Sequence, residues 1–373
     1  MNGLKRQKGT TLVELMVAVL IGTLSMYAVY QTFEVSERTK RTVASVGSAQ
    51  ISGLYSTFLL EESIQNAGSG LMANGTALAH CPNDPIGAPD TPSGTSVALS
   101  LKPLPVVIDP TDNANFDDIY VFGGRSSRNI VPLTVSGGNA DTPFGFKQDT
   151  VLVDVKGACA PYLVTADIAP QQATETVNTS VSAHVLGADG APPDGASLID
   201  LGEPSRLRFF VDDKNTLQVE VWRLNPGLPT DGQWVRVRTD PVIPGVMLLK
   251  AQYGIDTTVS ATNRGTGVTN WVDATTAPWD METLQEITSF VPAAQIKAIR
   301  LAIIVRADEP ENSATFNQDT QFTVFQNCPV GDCTAAPPIP ITFDAGSGPG
   351  GTTYRYRMYE KVIPLRNTIW NPI

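Results

Sequence analysis

The hydrophobic pattern changes character near residue 70. From Thr10 to Gln31 the only charged side chain is Glu14, and Leu15–Tyr30 reads LMVAVLIGTLSMYAVY without a break. With Thr10–Val13 this gives about 20 residues, long enough to cross a hydrocarbon core of ~30 Å as a helix. No proline follows until Pro82, so nothing stops the helix where the apolar run ends. Residues 31–66 therefore read as an amphipathic continuation. Ile51, Leu54, Tyr55, Phe58 and Leu59 recur at helical spacing and predict one apolar stripe buried against the rest of the fold. Glu34, Glu37, Arg38, Lys40 and Arg41 form a polar stretch just beyond the membrane segment. Gly68-Ser69-Gly70 supplies the stop, because Gly accepts the left-handed conformation of a C-cap. At ~1.5 Å per residue, Thr11–Asn66 makes a rod of roughly 80 Å.

Beyond residue 70 the pattern becomes short apolar runs between turn-rich loops. The runs predict strands at Ser96–Leu101, Asp118–Phe122, Thr150–Val155, Arg206–Val211, Thr216–Arg223, Trp234–Thr239, Val246–Tyr253, Ala298–Arg306, Gln321–Phe325 and Tyr354–Pro364. Leu207–Val211 and Thr216–Trp222, joined by Asp212-Asp213-Lys214-Asn215, form the clearest hairpin. Stretches 82–95, 185–196 and 335–351, rich in Pro, Gly, Ser and Thr, read as surface loops. There is no internal repeat and no clean boundary. The expected fold is α+β: one long N-terminal helix packed on a large antiparallel β-sheet domain, with the helix divided at residue 30 and the globular part covering 69–373.

Charge sharpens this picture. The formal net charge is −11, and the sequence pI is near 4.7. That excludes the phosphate-neutralising surface of a nucleic-acid binder. Residues 1–9 carry Lys5, Arg6 and Lys8 and no acid; without them 23 basic side chains face 37 acidic ones, a balance of −14. Basic residues ahead of an apolar segment hold that end in the cytoplasm, so the chain after Tyr30 is expected to be translocated. The four cysteines, Cys81, Cys159, Cys328 and Cys333, suit an exported chain with two disulfides, for which three connectivities are open.

A secretory signal or a plain anchor is the simplest account of the N-terminus. A signal peptide should end in a small-x-small cleavage site, and Tyr27-Ala28-Val29-Tyr30-Gln31-Thr32 is a poor one. Glu14 points elsewhere. A carboxylate deep in a membrane helix costs roughly 2.5–3.5 kcal/mol and calls for a partner. A cut after Gly9 would place a new amine on Thr10, four residues before Glu14 and on the same helical face.

Lys8-Gly9-Thr10-Thr11-Leu12-Val13-Glu14-Leu15-Met16-Val17-Ala18 resembles the class III signal of type IV pilins and pseudopilins. The resemblance implies a prepilin peptidase that cuts between Gly9 and Thr10 and methylates the new terminus. It also implies that Glu14 pairs with the N-terminus of a neighbouring subunit during assembly. Family members usually carry Phe or Met after the Gly, so Thr10 departs from the pattern. Further along, the chain resembles the PilW group of minor pilins, relatives of the J-type pseudopilins of type II secretion. The segments that carry the likeness are 60–68, Asp118–Val121, Thr150–Cys159, Leu207–Arg223, Gly245–Asp256, Ile296–Arg306 and Tyr354–Asn367, in that order.

The resemblance implies a Cys81–Cys159 bridge and, with it, a Cys328–Cys333 bridge; the CPVGDC sequence of the second pair suits a small closed turn. A zinc knuckle is the alternative, but it needs two further ligands, and Cys81 has only His80 beside it. Asp109, Asp112, Asn113, Asn115, Asp117 and Asp118 form an acidic stretch with calcium-type ligands, yet without the central Gly and terminal Glu of an EF-hand, so it reads as a solvated loop. His184 has no nucleophile partner in its surroundings, and no Gly-rich phosphate loop stands in a strand–helix context. No cofactor and no catalytic residue are expected. The resemblance implies a minor pilin, and a chain this large, bulkier than a typical repeating subunit, fits best in a priming or tip complex. Its partners would be the peptidase, other major and minor pilins, the inner-membrane assembly platform and a tip adhesin. It would sit in the inner membrane as a single-pass protein with its C-terminal domain in the periplasm, then on the pilus at the cell surface. A type II secretion pseudopilin and a membrane-anchored adhesin are the alternatives.

Overall fold

The computed structural model describes residues 11–69, 72–73, 76–77, 104–110, 113–124, 133–136, 139–140, 146–147, 150–154, 161–164, 184–185, 188–189, 194–224, 234–260, 263, 265, 267–286, 291–311, 320–326, 340–347 and 351–369. Lys5, Arg6, Lys8, Gly9, Thr10 and all four cysteines lie outside them, as do the expected strand at 96–101 and the loop at 82–95.

One helix, α1 (Leu12–Gln65), runs through both the apolar and the amphipathic stretch as 54 continuous residues. Thr11 caps its start, with Oγ1 accepting from the Glu14 backbone N–H at 3.3 Å. It ends at the C-cap Asn66, and Gly68 takes the left-handed conformation (φ 75°), as the glycine signal indicated. That turn ties the helix to the sheet: Gly68 N–H donates to the Phe122 carbonyl and Gly124 N–H to the Ser69 carbonyl, both at 2.8 Å.

Nine strands build the two central sheets. They are β1 (Val106–Pro110), β2 (Asp117–Gly124), β3 (Pro204–Val211), β4 (Leu217–Leu224), β5 (Trp234–Ile243), β6 (Val246–Ile255), β7 (Asn270–Asp273), β8 (Ile296–Arg306) and β9 (Tyr356–Pro364). The first sheet has the order β5-β4-β3-β2-β1, the second β7-β6-β8-β9, and every pairing in them is antiparallel. The expected hairpin is β3–β4, with Leu207 opposite Val221 and Val211 opposite Leu217. Its turn is closed by Asp212, whose Oδ1 accepts from the N–H groups of Lys214 and Thr216, and Asn215 takes a positive φ of 58°. A seven-stranded sheet of short segments, including Val151–Asp154 and Ser197–Gly202, lies beside the first sheet, and a hairpin of Gln321–Val324 with Ile341–Asp344 covers the outer face of the second.

The strand expectations hold within two or three residues for most runs. The strands of four or more residues that had escaped outside the expected loops include Val106–Pro110, Leu133–Ser136, Ser197–Gly202 and Asn270–Asp273, and the short segments Met72–Ala73, Thr76–Ala77, Asn139–Ala140 and Pro161–Leu163 had escaped as well. Stretch 335–351 also contains a strand, Ile341–Asp344, and His184–Val185 pairs with Ala188–Asp189 inside another expected loop. These segments are short, and several include Asp, Asn, Pro or Gly, which weaken a strand signal read from composition.

The main core lies where the end of α1 meets both sheets. Leu60 and Ile64 enter a cluster with Ile108 and Ile119 of the first sheet and Tyr253 and Ile299 of the second. Ile108 N–H donates to the buried Tyr253 hydroxyl at 2.6 Å. Burial pushes that phenol up, so it remains neutral.

The face of α1 that docks is not the expected one. Its buried residues are Ser45, Ala49, Gly53, Ser56, Leu60 and Ile64, a stripe that is small until its last two members. They lie against β9 and β8. Gly53 meets the Tyr359 ring so closely that an added Cβ would collide with it, and Tyr359 donates its hydroxyl to the Gln50 carbonyl at 3.3 Å. Lys361 pairs with Glu61 at 2.8 Å, and Asn367 Nδ2 donates to the Ala67 carbonyl at 2.9 Å. Gly53→Leu is therefore expected to lower unfolding stability by about 1–3 kcal/mol through overpacking. Gly47→Ala, where an added Cβ meets nothing within 4 Å, should leave it unchanged or slightly raised. Thermal unfolding of the detergent-solubilised chain distinguishes the two.

Candidate functional site

Two features of the sequence pointed to function: the N-terminal helix and the acidic stretch. The structure treats them differently. Every side chain of α1 from Leu12 to Arg41 is exposed. The helix leaves the domain near Thr42, whose hydroxyl donates to Glu311 at 3.0 Å, while Arg355 holds the same carboxylate at 2.7 Å. Between Tyr30 and Thr42 the helix and Pro310–Glu311 line an open pocket of about 670 Å³, and α1 is long and apolar enough to cross a membrane. Glu14 sits in its first turn.

Past the point of departure the helix is two-faced. Ile51, Leu54, Tyr55 and Phe58, expected in the core, are 70%, 54%, 52% and 60% exposed. At 100° per residue they lie on the side opposite Ala49, Gly53 and Leu60. Leu59, at the edge of the stripe, is the member that packs against the main core. The physical reason is steric. Tyr359 and Ile363 of β9 and Leu301 and Ile303 of β8 supply the bulk at the helix–sheet boundary, so the helix supplies small side chains there.

Between the last turns of α1 and the inner face of the first sheet is a groove of about 770 Å³. Leu59, Glu62, Ser63 and Asn66 form one wall, and Val121, Leu207 and Val221 lie on its floor.

Asp112 lies outside the described residues, and the end of the acidic stretch is taken up by the fold. Asp117 of β2 accepts from Lys250 Nζ at 2.7 Å and from the Ala251 N–H at 2.9 Å, and so joins the two sheets. Asp118 accepts from Arg208 Nε at 2.8 Å. Arg208 and Arg236 then share Glu220, at 3.3 and 2.9 Å. Arg208 also lies over Phe210 and Tyr120, and Arg236 over Trp222, so the outer face of the first sheet is a lattice of guanidinium, carboxylate and aromatic groups. Burial raises the Asp117 and Asp118 carboxyls above the ordinary range, opposed by Lys250 and Arg208 respectively. Asn113 turns back to accept from the Asn115 N–H at 3.0 Å. Among the described residues no group of three or more His, Cys, Asp or Glu side chains could hold a metal ion. Sequence reading missed these clamps because their basic partners, Arg208 and Lys250, lie 90 and 133 residues away from the acids.

Two family models match the chain. The one described as Prokaryotic N-terminal methylation motif covers residues 4–30. The one described as Type IV Pilus-assembly protein W covers residues 208–367, which begins inside β3, takes in β4 to β9 and ends just beyond Leu365. No curated protein and no solved structure matches. A methylation motif at the head of an apolar helix, with that helix docked on antiparallel sheets, defines a type IV pilin-like protein that is processed by a peptidase and associates with pilins. Within that class, residues 208–367 are similar to the PilW group of type IV pilus-assembly proteins. The matched domains are structural, and the N-terminal helix fits anchoring in a membrane.

The Asp117–Lys250 clamp has a measurable consequence. Lys250→Ala leaves a buried carboxylate without its counter-charge and should lower stability by about 3–5 kcal/mol. Pairing Asp117→Asn with Lys250→Met should restore much of that loss. Denaturant unfolding of the single and double variants checks both values.

Proposed function

We propose that this minor pilin acts in the priming or tip complex of the pilus. Residues 1–9 are the leader, with Lys5, Arg6 and Lys8 held in the cytoplasm. Prepilin peptidase cuts between Gly9 and Thr10. The new Thr10 amine and Glu14 then guide lateral docking with other pilins at the assembly platform of the inner membrane. The globular part from residue 69 stays in the periplasm and reaches the cell surface with the filament. The observation that carries this reading is the bare apolar half of α1: residues 12–41 are exposed all round, so that half needs lipid before assembly and other helices afterwards. A domain this large is bulkier than a repeating subunit and suits a position where few copies are needed. A tip adhesin is then a natural neighbour.

Helix geometry supports the site assignment. Thr11 is the N-cap, so the described helix begins after the proposed cut, and Glu14 lies in its first turn. Cys81 with Cys159 and Cys328 with Cys333 complete the proposal as two bridges formed after export.

Substituting Gly9 by a bulky residue should leave the full-length chain uncut in cells with active peptidase; intact-mass measurement reads this directly. An N-terminus at Met1 in the unaltered protein under the same conditions would sink the reading. Glu14→Leu should insert normally, or better, since it removes a buried charge, yet should assemble poorly when pili are counted. A plain anchor would lose nothing by that change. Peptide mapping under non-reducing conditions should recover the 81–159 and 328–333 linked pairs.

A further inference from the structure

A wedge opens where α1 leaves the domain. Tyr30, Phe33, Glu34, Glu37, Arg38 and Arg41 line it from the helix, and Pro310 and Glu311 stand at its far end, around a volume of about 670 Å³. The far end is fixed. Glu311 is held by Thr42 and Arg355, its N–H donates to the Thr353 carbonyl at 2.7 Å, and the Ser45 hydroxyl reaches the Glu309 carbonyl at 3.5 Å. The near end is aromatic and exposed, with Tyr30 at 69% and Phe33 at 70%. Between the two ends the helix wall carries both signs of charge. Arg38 pairs with Glu34 at 2.6 Å and Arg41 with Glu37 at 3.5 Å, every side chain half-exposed or more. Ion pairs this exposed contribute little to stability, so their groups exchange readily for a ligand of matching charge.

The level of these groups narrows the ligand. This step rests on the reading above, in which residues up to about 30 are in the membrane. Helical side chains lean toward the N-terminus, so each arginine reaches back one turn toward the bilayer, as its pairing shows. The Arg38 and Arg41 guanidinium groups then stand roughly 6 and 10 Å beyond Tyr30. The polar layer on each side of a hydrocarbon core is about 5–8 Å thick. The wedge thus opens on the phospholipid headgroups. A bare anion would suit the two arginines but would be repelled by Glu34, Glu37 and the excess of 37 acidic over 23 basic side chains that remains without residues 1–9. A headgroup that satisfies both signs carries an anion and a hydrogen-bonding cation side by side. Aromatic rings such as Tyr30 and Phe33 favour the same interface.

We propose that the wedge between α1 and Pro310–Glu311 holds the headgroup of a phospholipid that carries a phosphate and a primary ammonium, while the chain is anchored in the membrane. The phosphate lies on Arg38 and Arg41, and the ammonium donates to Glu34 and Glu37. Tyr30 and Phe33 seat the upper part of its acyl chains.

The experiment places the full chain in bilayer nanodiscs of equal parts phosphatidylethanolamine, phosphatidylglycerol and phosphatidylcholine, and reads the lipids it retains by native mass spectrometry. Phosphatidylglycerol lacks the cation, and phosphatidylcholine has a cation without N–H donors. The expected result is retention of one phosphatidylethanolamine at least fivefold over either of the others. Arg38→Ala with Arg41→Ala should bring the three lipids to parity, and Glu34→Gln with Glu37→Gln should remove the preference over phosphatidylglycerol. Neither pair should change the melting temperature, because all four side chains are exposed. Equal retention of the three lipids by the unaltered chain, first place for phosphatidylglycerol or phosphatidylcholine, or a preference that survives either pair of substitutions would each overturn the proposal. A lipid with a photoreactive acyl chain is included in a parallel sample. Failure of that lipid to label residues 12–30 would count against the membrane reading itself, whereas the retention pattern tests the wedge alone.

Discussion

The rest of the structure depends on how closely α1 can approach the second sheet. Ser45, Ala49, Gly53 and Ser56 let the helix axis come down onto β9, where the Tyr359 ring lies directly against Gly53. Because the approach is that close, Leu60 and Ile64 one and two turns later reach the seam between the two sheets and complete the main core. The turn at Gly68 is then in position to join the β2 backbone, and Asn367 to bond the carbonyls of Asn66 and Ala67 just past the helix end. A larger residue at position 53 would lift the helix and weaken each of these contacts together.

The sheets are joined by a different kind of interaction. Asp117 reaches from β2 to Lys250 and the Ala251 N–H on β6, and the bridge between Phe116 and Leu249 lies next to it. A buried ion pair of this kind contributes little net stability compared with apolar packing, but breaking one half is costly. It therefore fixes which strands lie side by side more than how tightly they do so. The Arg208–Asp118–Glu220–Arg236 lattice does the same across β2 to β5.

Much of this was legible in the sequence. The helix, its cap-like stop at Gly68, the β3–β4 hairpin and the long strands β6 and β8 all follow from periodicity and turn residues, because those signals are local. The docking face of α1 did not follow. Reading Ile51, Leu54, Tyr55 and Phe58 as core assumes that the largest apolar side chains are buried within the same chain. Here the sheet provides the bulk, so the helix presents its small residues inward, and small residues carry almost no hydrophobic signal. Asp117 and Asp118 were misread as solvated for a related reason: their partners are distant in sequence, and a run of acids looks the same whether it is bathed in water or clamped by Lys250 and Arg208. Glu14 is a different case: its oddity lies in its neighbours along the chain, and the structure adds only that it sits in the first turn of α1.

The two faces of α1 divide the labour between folding and association. Fully burying a Leu, Ile or Phe side chain is worth about 1.5–3 kcal/mol. The chain leaves four large apolar side chains on the outward face of the helix and uses Ser, Ala and Gly for most of its intramolecular docking. An exposed stripe of that size invites nonspecific association, and a fold selected only for the stability of one chain would have the opposite arrangement. The arrangement makes sense for a subunit whose final environment is other helices. Close intramolecular docking holds α1 rigid against the sheet, so the outward side chains are presented in one fixed geometry, and a partner loses little conformational entropy in meeting them. The small inward face orders the helix against the sheet, and under the proposed function the large outward face is left for other helices to cover.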